Sequence, residues 1–182
     1  MIQSTINLLG NHLNRQFNAD KPNQRWTTDI TYIPTVEGWL YLSVVMDLYS
    51  RKIIGWSMSD RMKESLVIDA LKMALFRRKI NSDALLHSDR GSQYASDNFQ
   101  QMLRHNRIKC SMSRKGDCWD NAAMESFFHT LKTECVYHEK YLTRDEAKKS
   151  IFDYIEVFYN RQRKHSFIGY KSPEQYELAS GL

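Results

Sequence analysis

Between Trp26 and Ser59 three strand-like segments follow one another with only short connections, and this limits the possible folds more than any other feature of the chain. In "WTTDITYI", Thr28, Ile30 and Tyr32 fall on one face and Thr27, Asp29, Thr31 and Ile33 on the other, as in a strand between two different environments. A turn at Glu37-Gly38 precedes "LYLSVVMDLYS", and a tighter one near Ser50-Arg51 precedes "KIIGWSMS". Three strands joined by connections this short form an antiparallel meander. The period then changes to that of a helix over residues 64–78, where Val67, Ala70, Leu71, Ala74 and Leu75 make one apolar stripe and Arg77 and Arg78 suit the C-terminal end. "ALLHSD" reads as a fourth strand, residues 96–106 as a helix capped by Ser96 or Asp97, and "IKCSMS" as a fifth strand. The polar loop "RKGDCWDN" runs into a helix over residues 120–134. A capping box, Thr143 to Glu146, opens a last helix that turns Ala147, Ile151, Tyr154, Ile155 and Phe158 inward. This order predicts an α/β fold, a mixed five-stranded sheet with helices on both faces.

With 182 residues the chain can form one domain with a sizeable core, expected over residues 23–178 between a loosely packed leader (1–22) and a short tail (179–182). No apolar run approaches the roughly 20 residues of a membrane span, and the first residues lack the pattern of a secretory signal. Cys110, Cys118 and Cys135 are odd in number and fit no zinc spacing, so reduced thiols are expected. A net charge of +5 favours a polyanionic partner. The sequence contains no nucleophile elbow, phosphate-cradling glycine loop, His-Glu-x-x-His or Cys-x-x-Cys pattern.

Acidic residues are the candidates for chemistry. Asp29 lies mid-strand, where a carboxylate is costly unless paired or bound to a cation. Asp89 ends the apolar run of "LLHSDRGSQYAS", a position that serves either a ligand or a turn cap. On a wheel of the helix 120–134, Met124, Phe127, Phe128, Leu131 and Cys135 define the buried face. Glu125 lies outside it, within about 40° of Asn121, His129 and Lys132. Each acid alone is equally served by a structural or solvated role. Together, three carboxylates form the oxygen-rich set that Mg²⁺ or Mn²⁺ prefers, and two such ions can clamp a phosphodiester. Asp47 is expected to stabilise a turn, and His87 to contact substrate or to hydrogen-bond near the acids.

The segments "WTTDITYI", "YLSVVMDLYSRKIIGWSMS", "HSDRGSQYAS", "SMSRKGDCWDNAAMESFFHTLKTE" and "YNRQRKHSFIGYKSPEQY" resemble the catalytic core of DDE-type insertion-sequence transposases, in particular insertion-sequence family three, whose integrase-like domain is similar to retroviral integrase. Asp89 and Glu125 are separated by the 35 residues typical of that family. The resemblance implies a ribonuclease-H-like fold, with Asp29, Asp89 and Glu125 as catalytic residues and ligands of two Mg²⁺ ions, Mn²⁺ being able to substitute. It implies DNA cleavage and strand transfer at transposon ends. Two other readings stay open, a truncated DNA-binding or regulatory fragment and a ribonuclease-H-like nuclease. Lys132, two turns after Glu125, matches a position that touches transposon-end DNA in the family. Arg114 and Lys115, beside Gly116 on the loop, and His129, Arg161, Arg163, Lys164 and His165 are further candidate DNA contacts. The implied partners are transposon-end and target DNA, further copies of the chain, and a helical DNA-binding region ahead of the core, fused or separate, since only 28 residues precede Asp29. The implied location is the bacterial cytoplasm, in association with the nucleoid.

Overall fold

The computed structural model describes residues 19–80, 84–112 and 122–181. Strands β1 (Arg25–Thr35), β2 (Gly38–Asp47) and β3 (Ile53–Ser59) are followed by helix α1 (Glu64–Arg77). Strand β4 (Leu85–Ser88), helix α2 (Asp97–His105), strand β5 (Lys109–Met112) and helix α3 (Ala122–Glu134) come next. Helix α4 (Arg144–Asp153) runs into a π-helical segment (Tyr154–Tyr159), and α5 (Pro173–Ala179) closes the chain. The five strands make one sheet in the order β3-β2-β1-β4-β5. The meander pairs antiparallel, and β4 and β5 join it in parallel through crossover helices, as the sequence order requires. Strand β4 accompanies β1 only over Arg25↔Leu85, Trp26↔Leu86 and Thr27↔His87, so β1 continues beyond the end of its parallel neighbour.

Alternation along the central strands divides the core between the two faces. Leu40, Leu42, Val44 and Met46 of β2 pack with Met124, Phe127, Phe128 and Leu131 of α3 and with Ala147 and Ile151 of α4. Val45, Trp26 and Ile54 face the other way, against Val67, Ala70, Leu71 and Ala74 of α1 and Phe99 and Leu103 of α2. Each fully buried side chain of this size contributes about 1.5–3 kcal/mol from removal of apolar surface from water. Helix α1 lies so close to β3 that a Cβ on Gly55 would stand 2.2 Å from the Ala70 carbonyl oxygen, which excludes any side chain there.

The expected last helix is corrected in one respect. Thr143 and Glu146 form the capping box, and Ala147, Ile151, Tyr154 and Ile155 are buried. Phe158 is not inward but 40% exposed, and Tyr159 takes its place in the core. The reason is a change of winding: Asn160 N donates to Ile155 O across five residues, so one extra residue per turn rotates all that follows. The gain is local. Asn160 is delivered to strand β3, where its side-chain oxygen accepts from Ile53 N at 2.9 Å and its amide donates to Ile53 O at 2.9 Å.

Candidate active site

Asp29 and Asp89 come to one place through the sheet. The last paired residues of β1 and β4 are Thr27 and His87, and each aspartate lies two residues further along its chain, Asp89 just past the end of β4. Asp29 is half-buried and Asp89 exposed. Asp29 Oδ1 accepts from Ile30 N at 2.8 Å, and Asp89 Oδ1 accepts from Gly91 N at 2.8 Å. Gly91 is a matter of space rather than of backbone angle, because a Cβ there would sit 2.9 Å from Asp89 Oδ1. Tyr94, three residues on, is buried, with its hydroxyl 3.4 Å from Thr28 Oγ1. Burial raises the Tyr94 phenol well above the ordinary range, and the negative charges of both Asp29 and Asp89 raise it further. Both carboxylates therefore act on the same hydroxyl. Composition and periodicity passed over Tyr94. The available signal was an aromatic residue a few positions after a strand-end acid.

Helix α3 runs beside β1 in the same sense. Ala122 and Ala123, at its start, share a cleft with Arg25 at the start of β1, while Lys132 near its end holds Nζ 5.0 Å over the ring of Tyr32. Glu125, two turns before Lys132 along α3, is exposed. Among the described residues, no three His, Cys, Asp or Glu side chains are drawn together tightly enough to hold a cation.

The remaining candidates divide by environment. His87 is buried, with Nδ1 2.9 Å from Ser111 Oγ, a hydrogen bond between β4 and β5. Asp47 accepts from Asn23 N and Tyr49 N at the strand end, as a turn-stabilising acid should, and burial pushes its carboxyl up to about 6. His129 is exposed on α3. Arg163 is engaged with Glu134, Nη2 to Oε1 at 2.7 Å and Nε to Oε2 at 2.8 Å, and this pair holds the Glu134 carboxyl below its usual range. His165 is half-buried edge-on to Tyr159, with ring centroids 4.8 Å apart. Lys164 is exposed, and Arg161, also exposed, lies 3.6 Å from Glu174. Arg114 and Lys115 lie outside the described residues. No helix among the described residues is long and apolar enough to cross a membrane.

Comparison with known proteins gives this geometry a context. The Integrase core domain family matches residues 19–118, and a second signature of the same description matches residues 125–180. The chain is 53% identical over 167 residues to the transposase InsF for insertion sequence IS3A of Escherichia coli strain K12, covering 92% of this chain and 58% of that protein. It is 48% identical over 167 residues to the transposase for insertion sequence element IS904 of Lactococcus lactis, covering 66% of that protein. The chain therefore spans somewhat under two thirds of the length of these relatives. Among solved structures, a chain of the simian T-cell lymphotropic virus intasome in complex with the PP2A regulatory subunit B56 gamma superposes over 96% of this chain and 66% of its own with a TM-score of 0.70 at 21% identity. The HTLV-2 integrase catalytic core domain in complex with magnesium, a trimeric form, superposes over 87% of this chain and 98% of its own with a TM-score of 0.66 at 18% identity. The mixed five-stranded sheet is the ribonuclease-H-like fold of retroviral integrase cores.

Proposed function

The chain belongs to the Integrase core domain family, and from that membership we propose that it is the catalytic core of a DDE transposase, which cuts DNA at transposon ends and joins the freed strand to a target. The observation that carries the reading is the common neighbourhood of Asp29 and Asp89, whose charges act on one buried hydroxyl at the adjoining ends of two parallel strands. Glu125, exposed on α3, is the third member in this reading. The donor set is oxygen alone, which suits a hard divalent cation such as Mg²⁺, with Mn²⁺ as a substitute. A pair of these ions, when bound, supplies Lewis acidity at the phosphodiester and lowers the pKa of the attacking water or 3′-hydroxyl. The protein's own contribution is placement. The Gly91 amide fixes one oxygen of Asp89, leaving the carboxylate little freedom to rotate. Tyr94 stays protonated, so it adds no further negative charge beside the acids. Lys132 supplies a positive charge two turns from Glu125, suited to a phosphate of the transposon end. Arg114, Lys115, His129, Arg161, Arg163, Lys164 and His165 are the further DNA contacts of this reading, and in Arg163 the fork is shared with Glu134. We assign the working protein to a homo-oligomer in the bacterial cytoplasm, acting with a helical DNA-binding region.

The test is strand transfer by the purified chain on a pre-cut transposon end with Mn²⁺, run beside an RNA–DNA hybrid and the Glu125→Gln variant. Products should form from DNA, and Glu125→Gln should lower their yield by orders of magnitude while thermal stability holds or rises, since one of three like charges is removed. Near-normal activity of that variant would remove Glu125 from the site. Cleavage of the hybrid alone would make the protein a ribonuclease, and tight DNA binding without cleavage would make it a binding fragment.

A further inference from the structure

On the far flank of α3 from Glu125, a cleft of about 1070 Å³ opens between that helix, the start of β1 and the segment after the π-helical turn. Its walls carry Arg25, Arg51, Lys164 and His165 together with the hydroxyl residues Ser126 and Thr130, and among the described residues its one carboxylate is Asp20. Arg163 also reaches it, with its charge already met by Glu134. Two ring or guanidinium nitrogens are buried here without a hydrogen-bond partner among the described residues, Arg51 Nε and His165 Nε2. Arg51 is held in place from both ends. Its backbone takes the left-handed conformation, φ 62°, in the β2–β3 turn, and its guanidinium carbon lies 4.0 Å from the centre of the Phe167 ring. A cation removed from water, fixed on an aromatic face and left with an unused donor is costly unless an anion completes it.

We propose that this cleft is a second phosphodiester-binding site, in which Arg51, Arg25, Lys164 and His165 hold backbone phosphates of DNA away from the reacting strand. The inference rests on the reading of DNA as substrate and adds to it a separate place of contact. Phosphate fits the chemistry because its several oxygens can accept from a guanidinium, an imidazole and an ammonium together. On the helix wall the Thr130 hydroxyl donates to Ser126 O at 2.8 Å, and the Ser126 hydroxyl is a neutral group that can serve phosphate at any base sequence. The electrostatics agree. Burial lowers the Arg51 guanidinium from its ordinary value, and among the described residues no carboxylate figures in the groups that act on it. His165 is pushed down to about 4, by burial first and then by the charges of Arg163 and Arg51, with Glu134 opposing. An anion between these groups would reverse both effects.

The experiment is equilibrium binding of a labelled random-sequence duplex to the full 182-residue chain, in chelator so that nothing is cut, across a range of salt. Arg51→Gln and Lys164→Gln should each weaken binding about 5- to 10-fold and flatten the dependence of log K on log salt by about one contact. The ring resonances of His165 should shift on duplex addition, and its titration should move upward from about 4. Lys164 is exposed, so its variant decides the matter if Arg51→Gln fails to fold. Unchanged affinity and slope in the folded variants, or a His165 signal that ignores bound duplex, would overturn the proposal. So would a response to inorganic phosphate with none to duplex, which would mean a small-anion site. Failure here with strand transfer intact leaves the catalytic reading standing. Cleft-dependent binding by a chain that never cuts would remove the catalytic reading and keep this one.

Discussion

A methyl group at position 91 would stand 2.9 Å from Asp89 Oδ1, closer than real Cβ contacts come, so Gly91→Ala must move the carboxylate that the Gly91 amide now holds. If Asp89 is catalytic, as proposed, misplacement by even 1 Å can cost about 100-fold in rate. Gly91→Ala should therefore reduce strand-transfer turnover at least tenfold while shifting thermal unfolding by less than about 1 kcal/mol, because no buried apolar surface changes. Undiminished turnover with a normal melt would mean that Asp89 needs no such clamp. Asp47 makes the contrasting case of an acid that serves the fold. Its carboxyl is pushed up to about 6 by burial, against an ordinary 3.8, so the native state binds its proton more tightly than the unfolded chain does. The charged form costs stability above about pH 6, and that cost shrinks as the pH falls toward 3.8. Asp47→Asn has nothing to titrate there. Between about pH 7 and 4.5 the difference in unfolding free energy between the two proteins should move by about 2 kcal/mol in favour of the wild type. Urea unfolding at the two pH values measures this, and a constant difference would show that Asp47 is not perturbed.

At the scale of elements, the π-helical segment is what joins the C-terminal part of the chain to the sheet. Its extra residue turns Asn160 toward β3, and the Asn160 amide meets both Ile53 N and Ile53 O as a further strand would. Asn160→Ala would leave both of these groups buried and unpaired, at an expected cost of about 2–4 kcal/mol measured as a lower urea midpoint with an unchanged slope. A midpoint within error of the wild type would mean that water replaces the amide there. The sequence pointed to Asn160 as part of a signature but could not assign this role, because a five-residue winding leaves no mark in an apolar pattern that fits 3.6 residues per turn almost as well. Phe158 was expected to point inward for the same reason. The strands and the buried face of α3 were legible, since alternation along "WTTDITYI" and the wheel of residues 120–134 record burial directly. The position of β4 beside β1, which brings Asp89 to Asp29, depends on a crossover that no local pattern encodes. Tyr94 and Arg51 were missed because their environments are made by that topology and by chain segments more than 60 residues away, Thr28 for the one and Phe167 for the other.

For the molecule as a whole, on the proposed reading, charge decides how DNA is met. The chain carries +5, and balancing the three acid charges of the proposed site raises the uncompensated positive charge to +8. The cations that frame α3 lie on both its flanks, Lys132 near Tyr32 and Arg25, Arg51 and Lys164 around the cleft. These residue types meet phosphates as charges, whereas sequence is read by side chains presented to base edges, most often from a helix set into the major groove. On the proposed reading, contacts of this kind should hold transposon-end and random duplexes with similar affinity. Both affinities should fall steeply with salt, because binding that neutralises phosphates releases counterions. Competition between a transposon-end duplex and a scrambled one of equal length, at two salt concentrations, provides the measurement. The two should differ by less than about 1.4 kcal/mol, tenfold in affinity, at both concentrations. A larger preference that persists at high salt would mean that side chains of this core reach base edges, and the framing cations would then be aids to a sequence reader rather than the main source of affinity.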